Sequence, residues 1–336
     1  MKILIISNWG IHDMMGGTGK YHTLLINLLY KKYEIDEYGV SYSADVKSDK
    51  SNVIIRSPSD NLWYEKLNSL IKNNNYAFII SSVFGKNSTK IDYFNNKVIY
   101  IQHLNTKFLF FMSILKLCPL FDKQIKYAVA YDIHNKKNLS LLFKKHWFSV
   151  ALPYEGDLVT KSPNPSKVIV SCGRLYAKQK NVNFLLKMSK YANFEIWLYG
   201  PSSVKQKEKY KNVKSFGAYN HSQLDEIYSK PIASILVSKF EGFGFCLVES
   251  LQHSTPIIVR HTFSAAKYLT NENKNGLLLN RFLTPYLAAK KINKWLEKVD
   301  YQTVSNNCLN FAKNNLSLQQ FEKSWENIID FVLNDK

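Results

Sequence analysis

Residues 238–250 read Ser238-Lys239-Phe240-Glu241-Gly242-Phe243-Gly244-Phe245-Cys246-Leu247-Val248-Glu249-Ser250. The apolar run Ala233–Val237 stands directly before them and reads as a buried strand, and a helical pattern runs on through His253. Between strand and helix, two glycines let the backbone pass close to a ligand. The start of the helix offers amide N–H groups and partial positive charge, which suit a phosphate. Glu241 sits where the strand ends and Glu249 lies in the helix beyond it. Two glutamates with seven residues between them carry little information alone. Placed on a strand–turn–helix, each carboxylate can accept several hydrogen bonds and so fits the vicinal hydroxyls of a sugar or ribose.

The same strand–helix rhythm extends in both directions. Upstream lie the strands Val168–Cys172 and Phe194–Tyr199, with a helix over 182–191 between them, and downstream comes Pro256–Val259. From Pro285 onward the pattern is helical. At the other end, Lys2–Ser7 is a short apolar strand, followed by Gly16-Gly17-Thr18-Gly19 and a helix from Tyr21 to Leu29. Strand, glycine loop and helix is how a nucleotide-type α/β domain opens. The loop is not a Walker A loop, because Met14 stands in place of its first glycine and Tyr21 in place of its Ser or Thr. A backbone approach point for Gly16 and Gly17, or a tight turn without ligand, are both open. Two prolines and small polar residues mark 156–167 as a linker. The expected fold is therefore α/β: a domain over 1–155, a second over 168–316, two doubly wound Rossmann-like sheets facing across a cleft, and a last helix over 317–334 packing back on the first domain.

Several segments in this order resemble the retaining, family 4 type of glycosyltransferase with a GT-B fold. They are Gly173-Arg174-Leu175 followed by Lys178-Gln179-Lys180-Asn181, Val213-Lys214-Ser215-Phe216-Gly217, the Glu241…Glu249 segment, and Asn275-Gly276-Leu277-Leu278. The resemblance is strongest over 168–280. It implies that Arg174 and Lys180 bind the diphosphate of a nucleotide sugar, with Lys178 as an alternative to Lys180, and that Gly173 lets them approach. It places Phe216 and Gly217 near the base, Glu241 and the backbone of Gly242, Phe243, Gly244 and Phe245 at the donor sugar, and Glu249 at the ribose. His103, which follows a strand, takes the position of a histidine that faces the donor sugar; a histidine satisfied inside the first domain is the alternative. The implied activity is transfer of a hexosyl-type unit, with retention, from a nucleotide diphosphate sugar such as a UDP-sugar to a lipid-linked or surface glycan. No metal cofactor is expected, since no Asp-x-Asp motif is present and cations with a helix terminus can meet the diphosphate. A catalytically silent partner subunit and a sugar-nucleotide epimerase are the competing readings.

Charge sets a further bound. The 336 residues carry 45 Lys+Arg against 26 Asp+Glu, a formal net charge of +19, yet only four of those cations are arginine: Arg56, Arg174, Arg260 and Arg281. A reader of bases would use Arg forks, and no zinc-finger, basic-zipper or RNA-binding signature is present, so a nucleic-acid partner is not expected. Eight lysines and two aspartates fall in 105–150, interleaved with Phe108–Met112, Ile114-Leu115, Leu120-Phe121 and Leu141–Phe143. That block reads either as a surface for anionic lipid or as a buried helix with a lysine-rich outer face. Cys118, Cys172, Cys246 and Cys308 have no metal or CxxC spacing and read as buried free thiols. The opening apolar run is too short for a secretory signal, and no stretch reaches the ~18 uncharged apolar residues of a membrane span. The expected location is the cytoplasm, with possible peripheral contact at the inner face of the membrane.

Overall fold

A computed structural model describes residues 1–10, 17–40, 48, 50–56, 62–83, 86–103, 109, 118–160, 165–201 and 210–335. The chain divides into two units, one of residues 1–151 and 322–336, the other of residues 152–321. The expected linker from 156 to 160 is thus carried within the second unit, which begins at Leu152, and 161–164 lie outside the described residues.

The first unit holds a parallel sheet in the order β3-β2-β1-β4-β5-β6-β7. Its strands are β1 Lys2–Gly10, β2 Glu34–Val40, β3 Asn52–Arg56, β4 Ile79–Ser81, β5 Val98–Ile101, β6 Tyr127–Ala130 and β7 His146–Ser149. Helices α1 Gly17–Leu29, α2 Trp63–Asn73 and α3 Ile133–Leu142 connect them. Side chains such as Leu4, Ile6, Ile79, Val98 and Ala128 are fully buried, as expected for parallel strands covered on both faces.

Strand β2 has no apolar run, because Glu34, Asp36 and Glu37 interrupt it. It is a strand nonetheless, since its acids have partners. Asp36 is buried, paired with Lys2 at 3.0 Å, and accepts from the Tyr76 hydroxyl at 2.6 Å and from Asn52 Nδ2 at 3.1 Å. Glu37 accepts from the Ser51 hydroxyl. Buried carboxylates are tolerated only with such satisfaction.

The 105–150 block also departs from its sequence reading. Residues 104–108 and 110–117, with Lys107, Lys116, Phe108, Phe110 and Phe111, lie outside the described residues. The remainder is β6, α3 and β7, so Tyr127, Val129 and Trp147 are sheet core rather than surface.

The second unit repeats the plan with the order β10-β9-β8-β11-β12-β13, all parallel. Here β8 is Ser166–Cys172, β9 Glu195–Tyr199, β10 Val213–Gly217, β11 Pro231–Leu236, β12 Ile257–Arg260 and β13 Gly276–Leu279. Helices α4 Val182–Ser189, α5 Leu224–Ser229, α6 Phe245–Gln252, α7 Ala265–Thr270, α8 Pro285–Lys298 and α9 Tyr301–Asn315 surround it. Residues 168–172 and 233–237 were legible as strands because each run is apolar but for a single serine, Ser171 or Ser234. Both sheets have the doubly wound order, with a reversal between β1 and β4 in one and between β8 and β11 in the other.

Helix α10, Leu318–Asn334, crosses the unit boundary. From Glu322 onward it belongs to the first unit. There Trp325 donates to the Tyr21 hydroxyl at 3.1 Å, and Phe331 packs on Tyr127, His146 and Phe148. Lys97 donates to the carbonyls of Val332, Leu333 and Asp335, a charged cap on the helix C-terminus. All four cysteines are buried free thiols. Among the described residues no helix is long and apolar enough to cross a membrane.

Candidate functional site

In a doubly wound sheet, ligands bind beyond the carboxyl ends of the strands where the strand order reverses. In the second unit that point lies between β8 and β11. The chain leaving β8 forms Gly173-Arg174 and then a 3-10 turn over Lys178–Lys180. The chain leaving β11 forms the Glu241 loop. Three hydrogen bonds clamp these loops together: Lys239 N donates to the Gln179 carbonyl at 2.8 Å, Gln179 Nε2 to the Phe240 carbonyl at 2.8 Å, and Asn181 Nδ2 to the Val237 carbonyl at 3.2 Å. Asn181 stands at φ 57°, ψ 38°, a left-handed conformation that Asn tolerates better than most residues.

The clamp brings Lys180 to Glu241. Lys180 Nζ lies 2.7 Å from Glu241 Oε1, and the two side chains are only 14% and 10% exposed. Burial, the largest influence on Lys180, pulls its ammonium down. The charge and hydrogen bond of Glu241 more than offset it, and Arg174 acts weakly the other way, so the ammonium ends above its ordinary value. The Lys180 chain lies over Gly173, where an added Cβ would stand 3.5 Å from Lys180 Cε. Arg174 and Lys178 are both exposed, so of the two candidate lysines only Lys180 is built into the loop pair.

Gly244 precedes α6 at φ 100°, a conformation that strongly favours glycine, and gives that helix no side-chain cap. Cys246, in the first turn, is pushed up to about 12 by burial, with Lys180 opposing and Glu249 and Glu241 adding to the rise. Lys180, Glu241 and Glu249 thus all act electrostatically on this one thiol in the first turn of α6. Gly242 and Phe245 are half-buried in this loop, and Phe243 is buried. Near the ends of β9 and β10, Phe216 stacks on Tyr199, with centroids 4.5 Å apart and an interplanar angle of 4°, and Tyr219 meets Tyr199 edge-on. Gly217 accepts through its carbonyl from Gly200 N at 2.5 Å. Tyr199, Tyr219 and Gly200 had no role in the sequence reading. The Gly-Pro step after the strand was the available signal for Gly200, and nothing in the sequence marks the Tyr199–Phe216 stack.

The remaining sequence candidates lie in the first unit. Gly16 is outside the described residues, and Gly17 is the exposed first residue of α1. His103 follows β5 and is buried in a polar cluster: its Nδ1 meets the Tyr131 hydroxyl, and its Nε2 lies 3.3 Å from His22 Nε2. Both ring nitrogens are thus engaged within the unit, which is the geometry of the alternative reading. His22 Nε2 is also 3.0 Å from Ser82 Oγ, and His22 Nδ1 is buried with no partner among the described residues.

Burial holds the His22 imidazole down to about 4 and pulls His103 down as well. The unfolded chain takes up its protons near 6.5, so stability is complete above that pH and is lost as pH falls toward 4. His22 alone is expected to remove about 2 kcal/mol of stability between pH 7.5 and 5. Urea unfolding at the two pH values checks this; a His22→Gln variant with the same pH dependence as the wild type would show that His22 is not responsible.

Residues 159–314 match the family described as Glycosyl transferases group 1. The solved sucrose-phosphate synthase from Thermosynechococcus elongatus is similar, with a TM-score of 0.76, 14% identity and 98% of each chain covered. The lipopolysaccharide outer core galactosyltransferase WaaB, in its apo form, gives a TM-score of 0.74 at 15% identity, covering 98% of this chain and 100% of its own. Anabaena Alr3699/HepE in complex with UDP-glucose gives 0.71 at 14% identity, covering 98% of this chain and 100% of its own. No curated protein matches the chain in sequence. The fold is GT-B, and residues 159–314, which lie within the second unit, are the part that matches the group 1 glycosyl transferase family.

Proposed function

We propose that this GT-B chain, with a group 1 glycosyl transferase domain over residues 159–314, is a retaining transferase that uses a nucleotide diphosphate sugar, UDP-hexose or UDP-N-acetylhexosamine, as donor. The observation that carries the reading is the Lys180–Glu241 pair, buried at the β8–β11 reversal beside Gly173 and the α6 terminus. In this reading Lys180 and the exposed Arg174 receive the diphosphate, and the α6 amides add partial positive charge, so the site's own cations perform the neutralisation. Glu241, released from Lys180 as the diphosphate arrives, accepts from donor sugar hydroxyls. Glu249 holds the ribose, and the exposed Phe216 face meets the base. The bond from the anomeric carbon to the diphosphate oxygen breaks, and a bond to the acceptor oxygen forms on the same face. The acceptor's proton passes to the departing diphosphate.

The experiment is a screen for free UDP released from a panel of UDP-sugars, with and without acceptor glycans. Acceptor-dependent release supports the reading. A changed donor sugar without release would instead identify an epimerase, and silence with every donor would leave a partner subunit.

The acceptor in this proposal is a lipid-linked or surface glycan such as lipopolysaccharide or capsule, met at the inner face of a membrane. Support comes from the outer side of α3, where Ile133, Lys137 and Leu141 recur at helical spacing and Leu141 is 80% exposed. Exposed Leu142 and Phe121 and exposed Lys123, Lys126 and Lys144 lie in the same segment. Leu141→Ser/Leu142→Ser is expected to lower affinity for vesicles rich in anionic lipid by about 10-fold or more. Wild-type protein that stays with the supernatant in low-salt vesicle sedimentation would sink the membrane contact.

A further inference from the structure

Two of the chain's four arginines meet at the carboxyl ends of β12 and β13. Arg260 closes β12, and Arg281 follows β13. Arg260 Nη2 donates to the Arg281 carbonyl at 2.6 Å, and its guanidinium lies 4.8 Å from the centre of the Phe184 ring on α4. Its Nε is shut off from solvent and has no hydrogen-bond partner among the described residues. The Arg281 guanidinium lies 4.6 Å from the Phe282 ring centre, and that ring is 77% exposed. Thr262 Oγ1 donates to the Ser238 carbonyl at 2.7 Å, tying the end of β12 to the loop that presents exposed Lys239. Among the described residues, no carboxylate lies within ion-pair distance of either guanidinium.

A guanidinium drawn partly out of water without an anion is costly, and the cost falls when an anion completes it. Burial also pulls the Arg260 guanidinium down. Arg260 ends β12 and is held by a backbone acceptor and a ring, so its guanidinium is pre-positioned for an oxyanion as a flexible lysine would not be. Arg281, exposed two residues beyond β13, adds a second cation at the same sheet edge. At about 4.8 Å per strand, β13 is roughly 10 Å along the sheet from β11.

We propose that Arg260 and Arg281 form a second anion site, separate from Lys180–Glu241, that takes a phosphate ester. The exposed Phe282 face offers an apolar surface for the carbon skeleton of a phosphorylated sugar, and a phospholipid headgroup presents the same anion. This site does not depend on the transferase reading.

The test is calorimetric titration of the full chain with inorganic phosphate and with glucose 6-phosphate, in the wild type and in Arg281→Gln, Arg260→Lys and Lys180→Met variants. Arg281→Gln leaves the carbonyl used by Arg260 in place, so it removes charge without removing that bond. Each arginine variant is expected to weaken binding by about 10-fold or more, the scale of one charge-assisted hydrogen bond, while Lys180→Met retains it. No binding by the wild type, or binding lost only in Lys180→Met, would overturn the proposal. Sedimentation with phosphatidylglycerol vesicles separates the two sources: a loss in Arg281→Gln points to a lipid headgroup, and unchanged sedimentation points to a soluble phosphate ester.

Discussion

Lys180→Met is expected to reduce release of UDP from the best donor by about 10²–10³-fold, the range measured when one pre-positioned group that stabilises departing charge is removed. Glu241→Leu is expected to lose activity to a similar degree, because the donor sugar then has no carboxylate at the β11 loop. Stability separates these roles from a merely structural pair. Each single variant leaves a lone charge at a site where the wild-type side chains are 14% and 10% exposed, so each should lose about 3 kcal/mol or more. The double variant Lys180→Met/Glu241→Leu removes both charges and should recover most of that loss. It should remain inactive. Denaturant unfolding and UDP release on the same four proteins test the argument. A stable double variant that turns over donor at the wild-type rate would remove the pair from the site.

Gly200→Ala is expected to have the largest effect on folding. Gly200 stands at φ 128°, and a Cβ there would lie 1.8 Å from the Gly173 carbonyl oxygen. That oxygen belongs to the backbone at the end of β8 and cannot swing aside like a side chain. Gly200 N also donates to the Gly217 carbonyl, and Gly173 N to the Tyr199 carbonyl, so a displacement would pass to the ends of three strands. The strained conformation costs about 1–3 kcal/mol before the clash is counted, and the total should exceed about 4 kcal/mol. Poor soluble yield, or a Tm well below the wild type, is the expected outcome. A variant that folds with unchanged Tm would mean that the β8 and β9 ends can separate without loss. Gly217→Ala is the control, since its Cβ would meet nothing within 4 Å and carries only the positive-φ penalty.

The strands that frame the donor-side loops were legible because their runs are apolar and uncharged, with only Ser171 and Ser234 among them, as buried parallel strands require. Strand β2 was not legible, because Asp36 and Glu37 are satisfied by Lys2, Tyr76, Asn52 and Ser51 from other parts of the chain. β6 and β7 were hidden inside a lysine-rich block whose described charges sit in the turns and on α3 rather than on the strands' buried faces. Glu241 and Lys180 were both named from their segments. Their pairing across 61 positions was not readable, because it depends on three loop-to-loop hydrogen bonds.

By itself the sequence determined the α/β alternation and the glycine-bearing ends of the strands, with the ordered segments that resemble a GT-B transferase. These are local properties: the side-chain period of a strand and the φ angles open to glycine act within a few residues. Tertiary structure decided which charges are neutralised and which are not. It put Lys180 beside Glu241, turned both nitrogens of His103 toward protein partners, and brought Arg260 and Arg281 together with no carboxylate among the described residues in ion-pair distance. A charge is fixed by residue type, but its partner and its exposure depend on residues brought near by the fold, often from far along the chain.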